Sequence, residues 1–315
     1  MHDTVTSFLK SRGWEGARIQ PIAGDLSQRS YFRLSRNGET AVMMDARDDR
    51  ASVPPFLKMT AWLRQAGLSA PEVLGTDVEN ALLLLEDLGP VPASELMTGR
   101  NAQTEVLDAC IEILLAIRNA PPPPLRCPGA ERLCEWTRVA DEHYPGADSG
   151  ALDEFRAVLK DVLARLLENG CTVSLRDFHA ENLMPLPHRE GVARLGVLDY
   201  QDAFLTHPVY DLVSLLTDAR VEVPPALRAR YVERYAAVSG DGLPALRTAF
   251  AAFSAQRNLR ILGIFHRAAS DLGKAHHLPK VPRVYRCLME AAQHEVFRDV
   301  RGILCAGLPA PEVAA

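Results

Sequence analysis

The chain contains no apolar run long enough to cross a bilayer: its longest aliphatic stretch is ALLLL, starting at Ala81. The opening residues, MHDTVTSFLKSRGWEG, hold no apolar core followed by a cleavage site. These absences argue against a membrane partner and point to a soluble, cytoplasmic protein. Excess positive charge is also missing, since 35 Lys and Arg stand against 40 Asp and Glu for a formal net charge of -5, and the basic residues are scattered along the chain. Without a basic stripe there is no field to hold a phosphate backbone, so nucleic acid is not an expected partner. The six cysteines, at 110, 127, 134, 171, 287 and 305, form no C-x-x-C pair and have no His placed to complete a zinc quartet. They read as buried or free thiols. Repeats are absent, and PPPP at 121–124 is the only low-complexity segment.

What remains is ordinary globular material: 315 residues, 47% hydrophobic and 24% charged, enough for one large domain or two lobes with their own cores. In the first ninety or so residues strand-like pieces alternate with turn signals. RSYFRL and TAVMMDA read as strands joined by SRNGE, where Asn37-Gly38 is a strong hairpin signal, and ALLLLEDL reads as a buried strand. VPPFLKMTAWLRQAGL places Phe56, Leu57, Trp62 and Leu63 at helix spacing, opens with a Pro pair and ends at Gly67. Beyond EDLGPVP, helical periodicity dominates: NAQTEVLDACIEILLAIRNA and LDEFRAVLKDVLARLLENG are amphipathic helices. The composition shift predicts an N-terminal lobe over 1–86, a hinge over 87–91 and a larger lobe over 92–315.

The stretch SLRDFHAENLMPL follows the second of those helices, with Gly170 positioned as its C-cap. NLMPL and RLGVLDY then read as a hairpin, which puts Asp177 and Asn182 in the loop that enters it and Asp199 at its exit. Two carboxylates and an amide are hard oxygen ligands and include a possible base. That set suits Mg2+ and a phosphoryl donor better than it suits zinc.

The spacing Asp-x-x-x-x-Asn from Asp177 to Asn182, followed by Asp199 after an apolar strand, resembles the catalytic loop and metal-binding Asp of protein-kinase-like enzymes. More closely, RDFHAENLM with GVLDYQDAFLTHPVYDLVSLLTDAR resembles the aminoglycoside phosphotransferase and choline kinase superfamily. Within it, the chain is most similar to bacterial kinases that phosphorylate the anomeric hydroxyl of N-acetylmuramic acid and N-acetylglucosamine. IAGDLSQRSYFRL corresponds to that family's phosphate loop, LLLLEDLG to its hinge and AQRNLRILGIFHRAASDLGKAHHL to its late helical segment. The resemblance implies an α+β, bilobal protein-kinase-like fold, with a small sheet-and-helix lobe followed by a mainly helical one. It also implies ATP and Mg2+ as cofactors and an amino sugar as substrate. Its product would be the sugar 1-phosphate, in cell-wall recycling.

Carried over residue by residue, the resemblance makes Asp177 the catalytic base or hydroxyl-positioning group, and Asn182 and Asp199 the Mg2+ ligands. Gly24, Ser27 and Arg29 would contact phosphate, and the backbone at Glu86 and Leu88 would meet the adenine edge. His179, Glu181, Asp202 and Arg220 flank the centre as candidate sugar contacts, Arg220 being suited to a carboxylate. Asp211, borne on a helix, is expected to accept backbone N–H bonds from the catalytic loop.

Two features depart from the family pattern. The strand TAVMMDA carries Met43 and Met44 where a Lys is usual, and the helix after it has no Glu to pair with one. The joint loss shifts phosphate neutralisation onto the metal and onto Arg29 or Arg33. Leu175 stands where many relatives have His. The alternatives to an amino-sugar kinase are an aminoglycoside or other small-alcohol phosphotransferase, and a nucleotide-binding pseudokinase. The sequence does not define an oligomeric state.

Overall fold

Asn37 and Gly38 take φ values of +52° and +84°, the two left-handed residues that a two-residue type I′ hairpin demands. Arg36 and Glu39 face each other across this turn, as the sequence predicts. The computed structural model describes residues 3–22, 24 and 28–311. Ser27, expected in the phosphate loop, lies outside the described residues.

In chain order the first part holds α1 (Asp3–Ser11), β1 (Arg18–Ile22), β2 (Ser30–Arg36), β3 (Glu39–Asp45), α2 (Val53–Gln65), β4 (Val73–Asp77) and β5 (Leu82–Glu86). Helices α3 (Ala93–Leu96), α4 (Arg100–Asn119), α5 (Ala130–Glu135), α6 (Val139–His143) and α7 (Ser149–Leu167) follow. Four short strands come next: β6 (Thr172–Ser174), β7 (Leu183–Pro185), β8 (Leu195–Val197) and β9 (Phe204–Thr206). The remainder is α8 (Tyr210–Leu216), α9 (Pro225–Ser239), α10 (Leu243–Leu272), α11 (Val281–Ala291) and α12 (Arg301–Gly307). The chain divides into two compact units, one of 1–93 with 182–202 and the other of 94–181 with 203–315.

In the first unit five strands form one antiparallel sheet of order β1-β2-β3-β5-β4. Leu34, Ala41, Met43, Leu82 and Leu84 meet Val5, Phe8 and Leu9 of α1 in one apolar cluster. Met44 and Leu83 are paired in register and equally buried, and strand alternation turns them to the opposite face. Burial on both faces explains why MM and LLLL do not alternate with polar residues. The β7–β8 hairpin joins this unit through the Val197 N–H, which donates to Ser69 O at 2.9 Å, and through a cluster of Leu88, Met184 and Leu186. Glycine in β8 makes room for Leu88, since a Cβ at Gly196 would lie 2.6 Å from Leu88 Cδ1 and the leucine would have to shift. The sequence reading keeps this hairpin with 92–315; the structure groups it with the first sheet.

The second unit is helical apart from the two-stranded pair β6–β9. Asp148 caps α7 by accepting from Gly150 N at 2.8 Å and Ala151 N at 3.1 Å, which starts the helix before the apolar pattern does. Helix α7 ends at Leu167 with Glu168 as its cap. Gly170, expected as the cap, instead supplies a φ of +100° that turns the chain into β6. Helix α10, 30 residues long, spans about 45 Å and crosses α6 at Gly263, where a Cβ would come within 2.3 Å of Val139 C and 2.4 Å of Ala140 N.

Asp211, in the first turn of α8, accepts from Ser174 Oγ at 2.7 Å, Leu175 N at 2.7 Å and Arg176 N at 3.1 Å. It therefore holds the segment that leaves β6, as expected. Burial pushes its carboxyl up to about 6, and the three donors restrain the rise.

Two outcomes follow from this packing. Gly263→Ala forces backbone apart at the α6–α10 crossing and should cost about 3 kcal/mol, a fall in Tm of roughly 5–10 °C by scanning calorimetry; a melt within about 2 °C of wild type would show that the crossing yields freely. Asp211→Ala strands two buried donors, Ser174 Oγ and Leu175 N, while Arg176 N keeps Ser174 Oγ at 3.0 Å, for a loss of about 2–4 kcal/mol. Denaturant titration checks this, and an unchanged midpoint would mean that other acceptors replace the carboxylate.

Candidate functional site

Asp177 follows a residue in an unusual conformation. Arg176 has a φ of +72°, which a long side chain adopts only when its surroundings impose it. Here Asp211 takes the Arg176 N–H, and Arg257 Nη1 donates to the Arg176 carbonyl at 2.7 Å. Arg257 Nη2 also donates to Asp177 Oδ1 at 3.2 Å, so one buried guanidinium fixes both the turn and the carboxylate. Asp177 keeps 35% of its side-chain surface open, while Arg257 keeps 6%. Burial raises the Asp177 carboxyl, but Arg257, Arg176, His179 and Arg260 together outweigh it and bring it to about 2. The group is ionised at every pH near neutrality.

In the same unit Arg220 lies between two carboxylates, 2.5 Å from Glu181 Oε2 and 3.2 Å from Asp218 Oδ1. Its Nη1 lies 3.4 Å from His179 Nε2. Burial holds His179 below the ordinary imidazole range, with Asp218 pulling the other way and Arg220 adding to the fall. His179, Glu181 and Arg220 therefore form one cluster, joined by Asp218, a residue that the sequence reading does not single out.

The first unit brings Arg29 and Asp199 together. Asp199 has a φ of +58°, and its Oδ1 accepts from Arg29 Nη2 at 3.1 Å and from Gln201 Nε2 at 2.9 Å. Asp199 Oδ2 accepts from no described residue, and the side chain is 43% exposed. Asn182 is adjacent through the backbone, its carbonyl accepting from Leu198 N at 2.9 Å. Arg29 is buried, with Asp49 Oδ2 at 4.0 Å and the Tyr31 ring at 5.9 Å. Asp202 is exposed and reaches the same group through Gln201 Nε2 at 3.5 Å.

The remaining positions are placed as follows. Gly24 is exposed, and a Cβ there would meet only Arg29 O, at an ordinary 3.9 Å. The Glu86 N–H donates to Glu72 O at 2.8 Å, and its carboxylate is bound by Arg189. Leu88 is buried under the β7–β8 hairpin. Arg33 holds Asp87 with two donors, at 2.8 and 3.1 Å, and Gly89 O at 2.8 Å. Of the two arginines named as phosphate partners, Arg33 is thus engaged in shaping the segment after β5.

The sequence reading misses Asp49, Arg257, Arg260 and Trp136. The signal for the two arginines is present in AQRNLR: they stand three apart, hence on one face of the helix. Asp49 escapes notice because it precedes α2, where the search for a Glu partner does not extend.

A sequence model of the phosphotransferase enzyme family matches residues 18–248. An N-acetylmuramate/N-acetylglucosamine kinase of Caulobacter vibrioides is 34% identical over 325 residues, covering 89% of this chain and 89% of that protein. One of the same name from Pseudomonas aeruginosa is 30% identical, covering 97% and 94%. A choline kinase from Streptococcus pneumoniae superposes with a TM-score of 0.67 at 14% identity, over 93% of this chain and 99% of that one. The fold is therefore the protein-kinase-like one, and the chain belongs to the phosphotransferase enzyme family.

Proposed function

We propose that the chain is an ATP-dependent kinase acting on an amino sugar, N-acetylmuramic acid, N-acetylglucosamine or both. The acceptor is the anomeric hydroxyl, the product the sugar 1-phosphate, and the setting cell-wall recycling. The observation that carries this reading is Asp177, a carboxylate held by Arg257 on an imposed turn, in a chain whose relatives are named N-acetylmuramate/N-acetylglucosamine kinases.

A carboxyl at about 2 is a weak proton acceptor. Its work is therefore to orient the hydroxyl by accepting its hydrogen bond, the proton passing to the carboxylate only late in the transfer, when the attacking oxygen has become acidic, and from it to water. The sugar oxygen forms its bond to the γ-phosphorus as the bond to the bridging oxygen breaks, and ADP departs. In the first unit Arg29 supplies the positive charge that the strand lacks, with Asp49 and Asp199 as its carboxylate partners. The donor set fits Mg2+: Asn182 and Asp199 are hard ligands, Asp199 Oδ2 is open, and a metal that keeps water and phosphate ligands needs only one or two protein groups. Mg2+, when bound, would be held by Asn182 and Asp199 and would neutralise charge on the phosphates. Three guanidiniums act on Asp177, a surrounding that disfavours polycationic aminoglycosides as acceptors.

Incubation of purified protein with ATP, Mg2+ and either sugar should yield the sugar 1-phosphate, identified by phosphorus NMR. Asp177→Asn should lower kcat by roughly 10³-fold with the fold intact. No acid limb from this carboxyl should appear in kcat/KM above about pH 4, since a lowered pKa keeps it charged there. Absence of product from wild type, or full activity in Asp177→Asn, overturns the reading. Arg29→Met should raise the KM for ATP by roughly tenfold, with little change in the KM for sugar; an equal change in both would place Arg29 outside nucleotide binding.

A further inference from the structure

Helix α10 places Arg257 and Arg260 one turn apart on the same face, and their surroundings differ. Arg257 is matched, donating to Asp177 and to the Arg176 carbonyl. Arg260 pairs with no carboxylate among the described residues. Its guanidinium lies over the ring of Trp136, 5.4 Å from the centroid, and Arg176 approaches the same ring at 5.9 Å. Two cations thus share one aromatic platform.

The local charge does not close. Arg176, Arg257 and Arg260 gather around Asp177 and Asp211, three positive charges against two negative. Both carboxylates are already committed, Asp177 to Arg257 and, at 3.9 Å, to Arg176, and Asp211 to Ser174 and two backbone N–H groups. Burial, with repulsion from Arg176 and Arg257, holds Arg260 below its ordinary value. A half-buried guanidinium facing like charges is stabilised by an anion that arrives with the ligand.

We propose that Arg260, flanked by Arg176 on Trp136, binds a carboxylate carried by the acceptor sugar and so makes the chain select the acid over the neutral sugar. The inference rests on the amino-sugar kinase reading and deepens it. It moves the expected carboxylate contact from Arg220, which already faces Glu181 and Asp218, to a cation that lacks such partners. A guanidinium matches a carboxylate through two parallel hydrogen bonds, and Trp136 offers an apolar surface to the carbon skeleton beside it. The shared chemistry is an oxyanion, and its other source is the phosphoryl group in transfer; the two sources separate experimentally.

N-acetylmuramic acid and N-acetylglucosamine differ by one carboxylate-bearing ether. Steady-state kinetics with both sugars on wild type, Arg260→Gln and Arg260→Lys provide the test, with thermal melts to establish folding. The ratio of kcat/KM for the acid to that for the neutral sugar should fall by about tenfold or more in Arg260→Gln, through KM for the acid. Arg260→Lys, which keeps the charge and loses the fork, should fall between it and wild type. An unchanged ratio overturns the inference. Equal losses on both sugars, carried in kcat, also overturn it and assign Arg260 to the phosphoryl group. If wild type turns over neither sugar, the kinase reading fails separately. Calorimetry without nucleotide then decides Arg260: tighter binding of the acid that is lost in Arg260→Gln supports the site, and equal binding of both sugars ends it.

Discussion

The grip of Asp211 on the segment leaving β6 is the constraint on which the second unit's chemistry depends. Three donors converge on one buried carboxylate. With its N–H held there and its carbonyl held by Arg257, Arg176 has little choice but the left-handed conformation it adopts. That conformation, costing of the order of 1 kcal/mol or more, sets the direction in which the next residue leaves the chain. Asp177 thus owes its position to a carboxylate 34 residues later in the sequence and to an arginine on α10.

The two units solve a similar electrostatic problem in similar ways. Each exposes part of an aspartate and anchors its Oδ1 with a buried arginine: Arg257 for Asp177, Arg29 for Asp199. Each aspartate also lies in or directly after a residue of positive φ. An exposed carboxylate on a long loop would otherwise sample many rotamers. A guanidinium buried at its root confines it. Under the proposed function this is preorganisation, established before substrate arrives.

Much of this was legible in the sequence, and the limits have physical causes. The type I′ turn at Asn37-Gly38 follows from local chemistry that a single chain displays. Strands β1 and β4 are harder to see because they are the edges of the sheet, where RIQPI and VLGTD tolerate a Pro, a Gly and a bulge. Where the hairpin at 182–202 belongs depends on Gly196 admitting Leu88, a contact between residues more than a hundred positions apart. The candidate residues Asp177, Asn182 and Asp199 stand out by type and spacing. Arg257 and Arg260 do not, since an arginine in a helix is ordinarily a solvated one and only the helix's burial makes it otherwise.

The missing strand lysine shows how position and function separate. Met43 and Met44 are buried on opposite faces of the sheet, and a Lys at either would have to be paired or forced neutral. The chain instead brings a cation from the loop before β2 and a carboxylate from just before α2, so that Arg29 and Asp49 come within 4.0 Å of each other beside Asp199. A guanidinium carries several donors, so in this arrangement it can keep Asp199 while still facing a further acceptor. The loss of a charge from one strand is therefore a weak argument for a dead enzyme, because electrostatics depends on where charge sits in space and not on which strand delivers it.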